Sequence, residues 1–224
     1  EYVNADTFVF WLNPGEKCSV DFYATNLGQP VSGKTIDFRL DTANTLGAQP
    51  PGYPAIGGPV LPTLNPDKSV DTDLNGKASI TITGIDPKNP RVYIDGQIYG
   101  ISYNLSDQTF ANCNQANFIS VLVFDSVPAA TIKKPTWNDI QPTMQQYANL
   151  YPIMSKGIFN LADKDVVDGN AEILKFVFSK DRNDPNYMPA TRDLSRDKQK
   201  MIINYLDSVL PPKGKKKTVT TRKS

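Results

Sequence analysis

The 224-residue chain carries 24 basic and 23 acidic residues, a formal net charge of +1 that gives no overall field to draw in nucleic acid or an anionic membrane. It has no histidine and only two cysteines, Cys18 and Cys113, which removes the commonest general base, the commonest metal ligand and any zinc or iron–sulfur set. No metal and no cofactor is expected, and no stretch approaches the roughly 20 apolar residues of a membrane span.

From the first residues to about Phe124 the apolar pattern has period two, interrupted by Gly, Pro and Asn. It predicts strands at 7–12, 17–24, 34–40, 77–83, 91–94, 97–103 and 117–124, a number that suits an antiparallel sandwich. In the second of these Cys18, Val20, Phe22 and Ala24 share one face, so Cys18 is expected to point inward, and Cys113 stands just before the last strand. If the two pair, the closed loop of about 95 residues is worth about 4–5 kcal/mol by loop entropy; the alternative is two buried free thiols. Asn75-Gly76 has the chemistry of a tight hairpin turn, and the acids around it, Asp67, Asp71 and Asp73, fit that turn better than a cation loop.

Gly28-Gln29-Pro30-Val31-Ser32-Gly33-Lys34-Thr35-Ile36-Asp37-Phe38, followed by Thr72-Asp73-Leu74-Asn75-Gly76-Lys77-Ala78, resembles the bacterial immunoglobulin-like domains of invasin-type adhesins. The resemblance covers residues 1–125 and implies a sandwich used as a spacer or binding module. The Pro- and Gly-rich insert 48–66, with Tyr53 as a candidate contact residue, departs from that pattern. Asn104-Leu105-Ser106 is a glycosylation sequon expected in a turn after Tyr103. With two cysteines in β-rich surroundings, and a first residue, Glu1, compatible with a processed form or a fragment, it suggests a secreted or extracellular protein.

Residues 126–135, with Pro128 and Pro135, read as a linker. Beyond it the period becomes helical. Ile140, Met144, Tyr147 and Tyr151 form one stripe from a start near Asp139, and Ile173, Leu174, Val177 and Phe178 a second within 166–179. Ser195 caps a third helix over 197–209 with Met201, Ile202, Tyr205 and Leu206 inward. The last residues, 213–224, form a basic flexible tail containing Lys213, Lys215, Lys216, Lys217, Arg222 and Lys223.

Asp139-Ile140-Gln141-Pro142 and, later, Met188-Pro189 with Leu194-Ser195 resemble the class of small c-type cytochrome domains over about 136–212. That resemblance implies a three-helix cytochrome c-like domain that has lost its haem: the Cys-x-x-Cys-His motif is absent, with Ala148-Asn149-Leu150-Tyr151-Pro152 in its place. A haem-sized void of several hundred Å³ left empty costs on the order of 10 kcal/mol, as much as a small domain's whole stability. Large side chains, Tyr147, Tyr151, Phe159, Phe176, Phe178, Tyr187 and Tyr205, are available to fill it. If space persists, Tyr147, Tyr151, Tyr187, Met188 and Arg192 are the candidate ligand-binding residues for a flat apolar molecule, with 181–193 as a lid and Arg192 facing a ligand carboxylate; the alternative for Arg192 is pairing with Asp193 or Asp184.

No catalytic residue is assigned. Asp163, Asp165 and Asp168 are close in sequence, but at a helix start such acids stabilise the dipole. The expected fold class is thus a β-sandwich plus a small all-α domain. The expected function is a non-catalytic structural or interaction module of a secreted protein or larger assembly, with a protein partner. The alternative is a pigment-binding chromoprotein using the former haem space or an interdomain cleft for a small apolar ligand.

Overall fold

The fold is described from a computed structural model, covering residues 1–40, 69–88, 95–109, 117–151 and 159–211. The chain divides into two compact units, Glu1–Ser126 and Val127–Ser224. The expected strand at 91–94, Tyr53 with its insert, Cys113 and the basic tail lie outside the described residues.

The first unit is an immunoglobulin-like sandwich, and its first strand shows why. Tyr2–Ala5 (β1) pairs antiparallel with Lys17–Asn26 (β3); after a break at Asp6, Val9–Leu12 (β2) crosses to the other sheet and runs parallel to Phe118–Val123 (β9). Strand β3 also carries Gln29–Pro30 (β4) and Lys77–Thr83 (β7). The second sheet has the order β2-β9-β8-β5-β6, with Thr35–Leu40 (β5), Ser69–Asp71 (β6) and Gln97–Leu105 (β8). Two sheets, antiparallel except for the β2–β9 pair, with the leading strand split between them match the arrangement of immunoglobulin domains. The pleat alternation then fixes the core: Val20, Phe22, Ala24, Ile80 and Ile82 from one sheet meet Ile36, Phe38, Ile101, Tyr103, Ile119 and Val121 from the other. Phe22 is its centre, with its ring centroid 5.1 Å from both Phe38 and Tyr103.

The turn before β7 is tight, but it is not the hairpin expected: β6 and β7 lie in different sheets, so it crosses between them. Gly76 has φ 71°, and a Cβ there would stand 2.6 Å from the Ala24 carbonyl oxygen. Asp73 Oδ1 accepts from the Asn75 and Lys77 amides, both at 2.8 Å, and these bonds hold its carboxyl below the usual carboxylate range.

Two expectations for this unit are corrected. Cys18 is a free, half-buried thiol, pushed up in pKa by burial. It sits beside Ile82, at the end of the sandwich where Gly84 packs on Val123. Asn104 belongs to β8 rather than to a turn: it is 2% exposed and its Nδ2 donates to the Thr109 carbonyl at 3.3 Å. A glycan acceptor needs this amide in solvent.

The second unit contains five helices among the described residues: Ala129–Lys133 (α1), Trp137–Leu150 (α2), Lys164–Gly169 (α3), Ala171–Phe178 (α4) and Arg196–Val209 (α5). The segment read as a linker therefore carries α1, whose Ile132 carbonyl accepts from Asn204 of α5 at 2.7 Å. Asp139-Ile140-Gln141-Pro142 lies inside α2, which starts two residues before the expected Asp139; Asp139 is its third residue, and its Oδ2 accepts from Thr136 N and Oγ1 at 2.7 and 2.6 Å. The single helix expected over 166–179 is two. Asn170, at φ −115° and ψ 20°, ends α3 and begins α4, and its Nδ2 donates to the Val166 carbonyl at 2.7 Å. Within α4 the buried line is Ala171, Leu174 and Phe178, while Ile173 and Phe176 face solvent, Phe176 beneath the Lys180 ammonium at 4.2 Å.

Candidate functional site

The residues singled out for ligand binding come from α2 and from the loop between α4 and α5. Helical spacing stacks Tyr147 over Tyr151, with centroids 6.0 Å apart and planes at 27°. Both are buried in a core that includes Ile140, Met144, Val167, Leu174, Phe178, Met201, Ile202, Tyr205 and Leu206. Their hydroxyls meet the loop. Tyr147 Oη donates to Asp193 Oδ1 at 3.2 Å, Tyr151 Oη lies 3.2 Å from Thr191 Oγ1 and accepts from Thr191 N at 3.3 Å, and Thr191 Oγ1 donates to Asp193. Segment 181–193 is thereby bonded down onto the tyrosines.

Met188 is half-buried against the same core, and its amide donates to the Val177 carbonyl at 3.3 Å. Tyr187 is buried. Burial raises its phenol pKa, with the charges of Arg182 and Arg192 lowering it and that of Asp193 raising it. Arg192 pairs with neither Asp193 nor Asp184 through their carboxylates. Its Nε donates to the Arg182 carbonyl at 2.8 Å, Nη1 to Ala190 at 3.1 Å and Nη2 to the Asp184 carbonyl at 3.4 Å. Arg182 answers it, Nε to the Arg192 carbonyl at 3.0 Å and Nη2 to the same oxygen.

The structure thus joins Tyr147 and Tyr151 to the loop that carries Tyr187, Met188 and Arg192. The residues that make the junction, Thr191 and Asp193, and the second arginine, Arg182, were not among the candidates. Their signal was present in the polar Asp181–Asp193 run, but which carboxylate met which donor was not a matter of spacing.

The helix-start acids do not converge. Asp163 Oδ1 caps α3, accepting from Asp165 N at 2.9 Å and Val166 N at 3.3 Å, while Asp168 accepts from Lys164 and, at 2.7 Å, from the Tyr205 hydroxyl. Among the described residues no helix is long and apolar enough to cross a membrane. A surface groove of about 390 Å³ lies elsewhere on this unit, lined by Glu172, Lys175, Phe176, Ser179, Lys180 and Leu210.

No protein-family profile matches the chain. Over 67 residues it is 36% identical to a 2-imino-3-(indol-3-yl)propanoate dimerase of Chromobacterium violaceum, a match covering 30% of this chain and 7% of that relative. Solved structures similar to it include a C-terminal 282-residue fragment of intimin in complex with the intimin-binding domain of the translocated intimin receptor, with 17% identity, 54% of this chain and 32% of that chain covered, and a TM-score of 0.33. The Yersinia pseudotuberculosis adhesin InvE is similar at 12% identity over 60% and 32%, with a TM-score of 0.33. Domains 4 and 5 of the S-layer protein SbsC are similar at 10% identity over 55% and 51%, also with a TM-score of 0.33.

Proposed function

We propose that this chain is a non-catalytic interaction module of a secreted protein or larger assembly, an immunoglobulin-like sandwich joined to a helical unit whose aromatic residues serve packing. The observation that carries the reading is the closure of the helical core by its own polar groups. The hydroxyls of Tyr147 and Tyr151, which a bound planar molecule would have to displace or stack upon, are spent on Asp193 and Thr191 of the overlying loop. Charge supports a role in association. The net +1 conceals 7 basic against 13 acidic residues in 1–126, and 17 against 10 in 127–224, with 6 of those 17 in the sequence 213–224, so the acidic excess belongs to the sandwich sequence and the basic excess mainly to the end of the chain.

The short match to a much longer dimerase favours a second reading. In it the chain is an accessory part that binds a flat carboxylate-bearing molecule of the indole type, with Tyr187, Met188 and Arg192 on the binding side and the helical unit derived from a cytochrome c-like ancestor without haem. The absorption spectrum and native mass of the purified chain separate the two. The module reading expects featureless absorbance above about 300 nm, where protein aromatics end, and the mass of the polypeptide alone. A visible band that survives gel filtration, or a co-purifying small molecule, overturns it.

A further inference from the structure

We propose that the open edge of β7 is a self-association surface, on which the same strand of a second copy of this chain pairs antiparallel about a dyad at Thr81. β7 pairs with β3 on one side, and among the described residues no strand pairs with it on the other. The register gives the direction of each backbone group. Ala24 N donates to the Gly76 carbonyl and Gly84 N to the Glu16 carbonyl, both at 2.8 Å, so 24–76 and 16–84 are hydrogen-bonded pairs at the two ends of the ladder. Hydrogen-bonded and non-hydrogen-bonded pairs alternate between them. Ala78, Ile80 and Ile82 therefore turn their N–H and C=O groups to β3, and Ser79, Thr81 and Thr83 turn theirs to the open edge. Lys77 has the same parity, but the preceding turn uses both of its groups: its amide donates to Asp73 Oδ1 at 2.8 Å and its carbonyl accepts from Asp73 N at 2.7 Å. What remains is a row of three donors and three acceptors, none of them bonded among the described residues.

Nothing in the strand blunts this edge. Edge strands that resist pairing are short, or carry proline or charge. β1 and β2 have four residues each, β6 has three and ends in Asp71, and β4 has two and contains Pro30. β7 has seven residues, with neither charge nor proline from Ala78 to Thr83.

The strand is also compatible with itself. When Thr81 stands opposite Thr81 of a second copy, Ser79 faces Thr83 and Ile80 faces Ile82. Hydroxyls then meet hydroxyls on the exposed face, and the apolar residues extend the buried one. Lys77 falls opposite Ile85, so no like charges are opposed. Three donors from each copy meet three acceptors of the other, and a net charge of +1 per chain sets no overall repulsion between copies. The edge is open whether the chain is a module or a carrier, and a monomer would leave that choice untouched.

Sedimentation velocity of the full chain from about 10 µM to 1 mM tests the pairing, with a dimer expected at a dissociation constant on the order of 0.1–1 mM. Thr81→Pro removes only an N–H that points away from β3, and is expected to weaken association by more than about tenfold. Thr81→Lys sets two ammonium groups opposite each other across the dyad and is expected to weaken it by about threefold to tenfold, while an equimolar mixture of Thr81→Lys and Thr81→Glu recovers it. Both charged variants place an exposed side chain in solvent, so they remain readable if Thr81→Pro fails to fold. Amide exchange supplies the register: in dilute protein the amides of 79, 81 and 83 are expected to exchange fast and those of 78, 80 and 82 slowly, with the first set slowing at the highest concentration. A monomer throughout, a dimer indifferent to Thr81→Lys, or no recovery in the mixture overturns the proposal. So does slow exchange at 79, 81 and 83 at every concentration, which would mean that the chain covers this edge itself.

Discussion

The hydroxyl of Tyr103 on β8 reaches across the sandwich to accept the backbone N–H of Ala5 at 3.0 Å, at the point where the leading strand leaves one sheet for the other. Ala5 is buried, so its amide has no recourse to water there. Tyr103→Phe keeps the ring against Phe22 but leaves that N–H without its acceptor. The expected cost is about 1–3 kcal/mol, read as a lower urea midpoint at unchanged slope.

Gly76 and Gly28 offer a controlled comparison. Both have positive φ, 71° and 82°, but only at Gly76 would a Cβ meet backbone, 2.6 Å from Ala24 O and 2.9 Å from Val31 N; at Gly28 nothing lies within 4 Å. Gly28→Ala pays the left-handed backbone penalty of about 1 kcal/mol. Gly76→Ala pays it and must also push the β3–β7 connection apart, so its loss in thermal unfolding is expected to exceed that of Gly28→Ala by about 1 kcal/mol or more. Equal losses would show that the turn yields without strain.

The contrast between these glycines marks where sequence reading succeeds. Asn75-Gly76 was legible because turn chemistry is local, and the same holds for the stripes Ile140–Met144–Tyr147–Tyr151 and Met201–Ile202–Tyr205–Leu206, all buried as expected. β1 escaped notice because its four residues gain an inward face only by pairing with Ala24 and Phe22. Ile173 and Phe176 were misplaced because only the narrow line Ala171, Leu174 and Phe178 of the short helix α4 is buried, and apolar residues beside it stay in solvent. The partners of Arg192 were hidden for a different reason. Backbone carbonyls carry no signature in a sequence, so the reading turned to the nearest acids, which the fold had assigned to hydroxyls and amides.

The helical core gives a test of Tyr147 as a packing residue. It is 2% exposed, and its ring fills space between α2 and the loop that closes on it. Tyr147→Phe removes one hydrogen bond to a carboxylate and is expected to cost about 1–3 kcal/mol. Tyr147→Ala also opens a ring-sized cavity and is expected to cost about 3–5 kcal/mol, enough to unfold a marginal unit. Loss of the 222 nm ellipticity midpoint in that order supports packing; an Ala variant as stable as wild type would mean that the ring is dispensable.

Alkaline unfolding should separate two buried phenols with different partners. Tyr205 and Tyr99 both have their pKa pushed up to about 12, Tyr205 by burial and then by the bond it donates to Asp168, Tyr99 by burial and then by the charges of Asp125 and Asp86. In the unfolded chain a tyrosine loses its proton near pH 10. Below that pH both states hold the proton and the stabilisation is fully present; between about pH 10 and 12 the unfolded state ionises while the folded state does not, so stability falls as pH rises. For each phenol the loss is on the order of 2 kcal/mol. The two differ at neutral pH. Tyr205→Phe gives up the 2.7 Å bond to Asp168 and lowers the melting temperature, whereas the Tyr99 hydroxyl is buried without a hydrogen-bond partner, so Tyr99→Phe is expected to be neutral or stabilising by up to about 1 kcal/mol. Each variant should also flatten the decline in melting temperature between pH 10 and 12. A decline as steep in Tyr99→Phe as in wild type, with no gain at pH 7, would mean that this hydroxyl is neither desolvated nor orphaned.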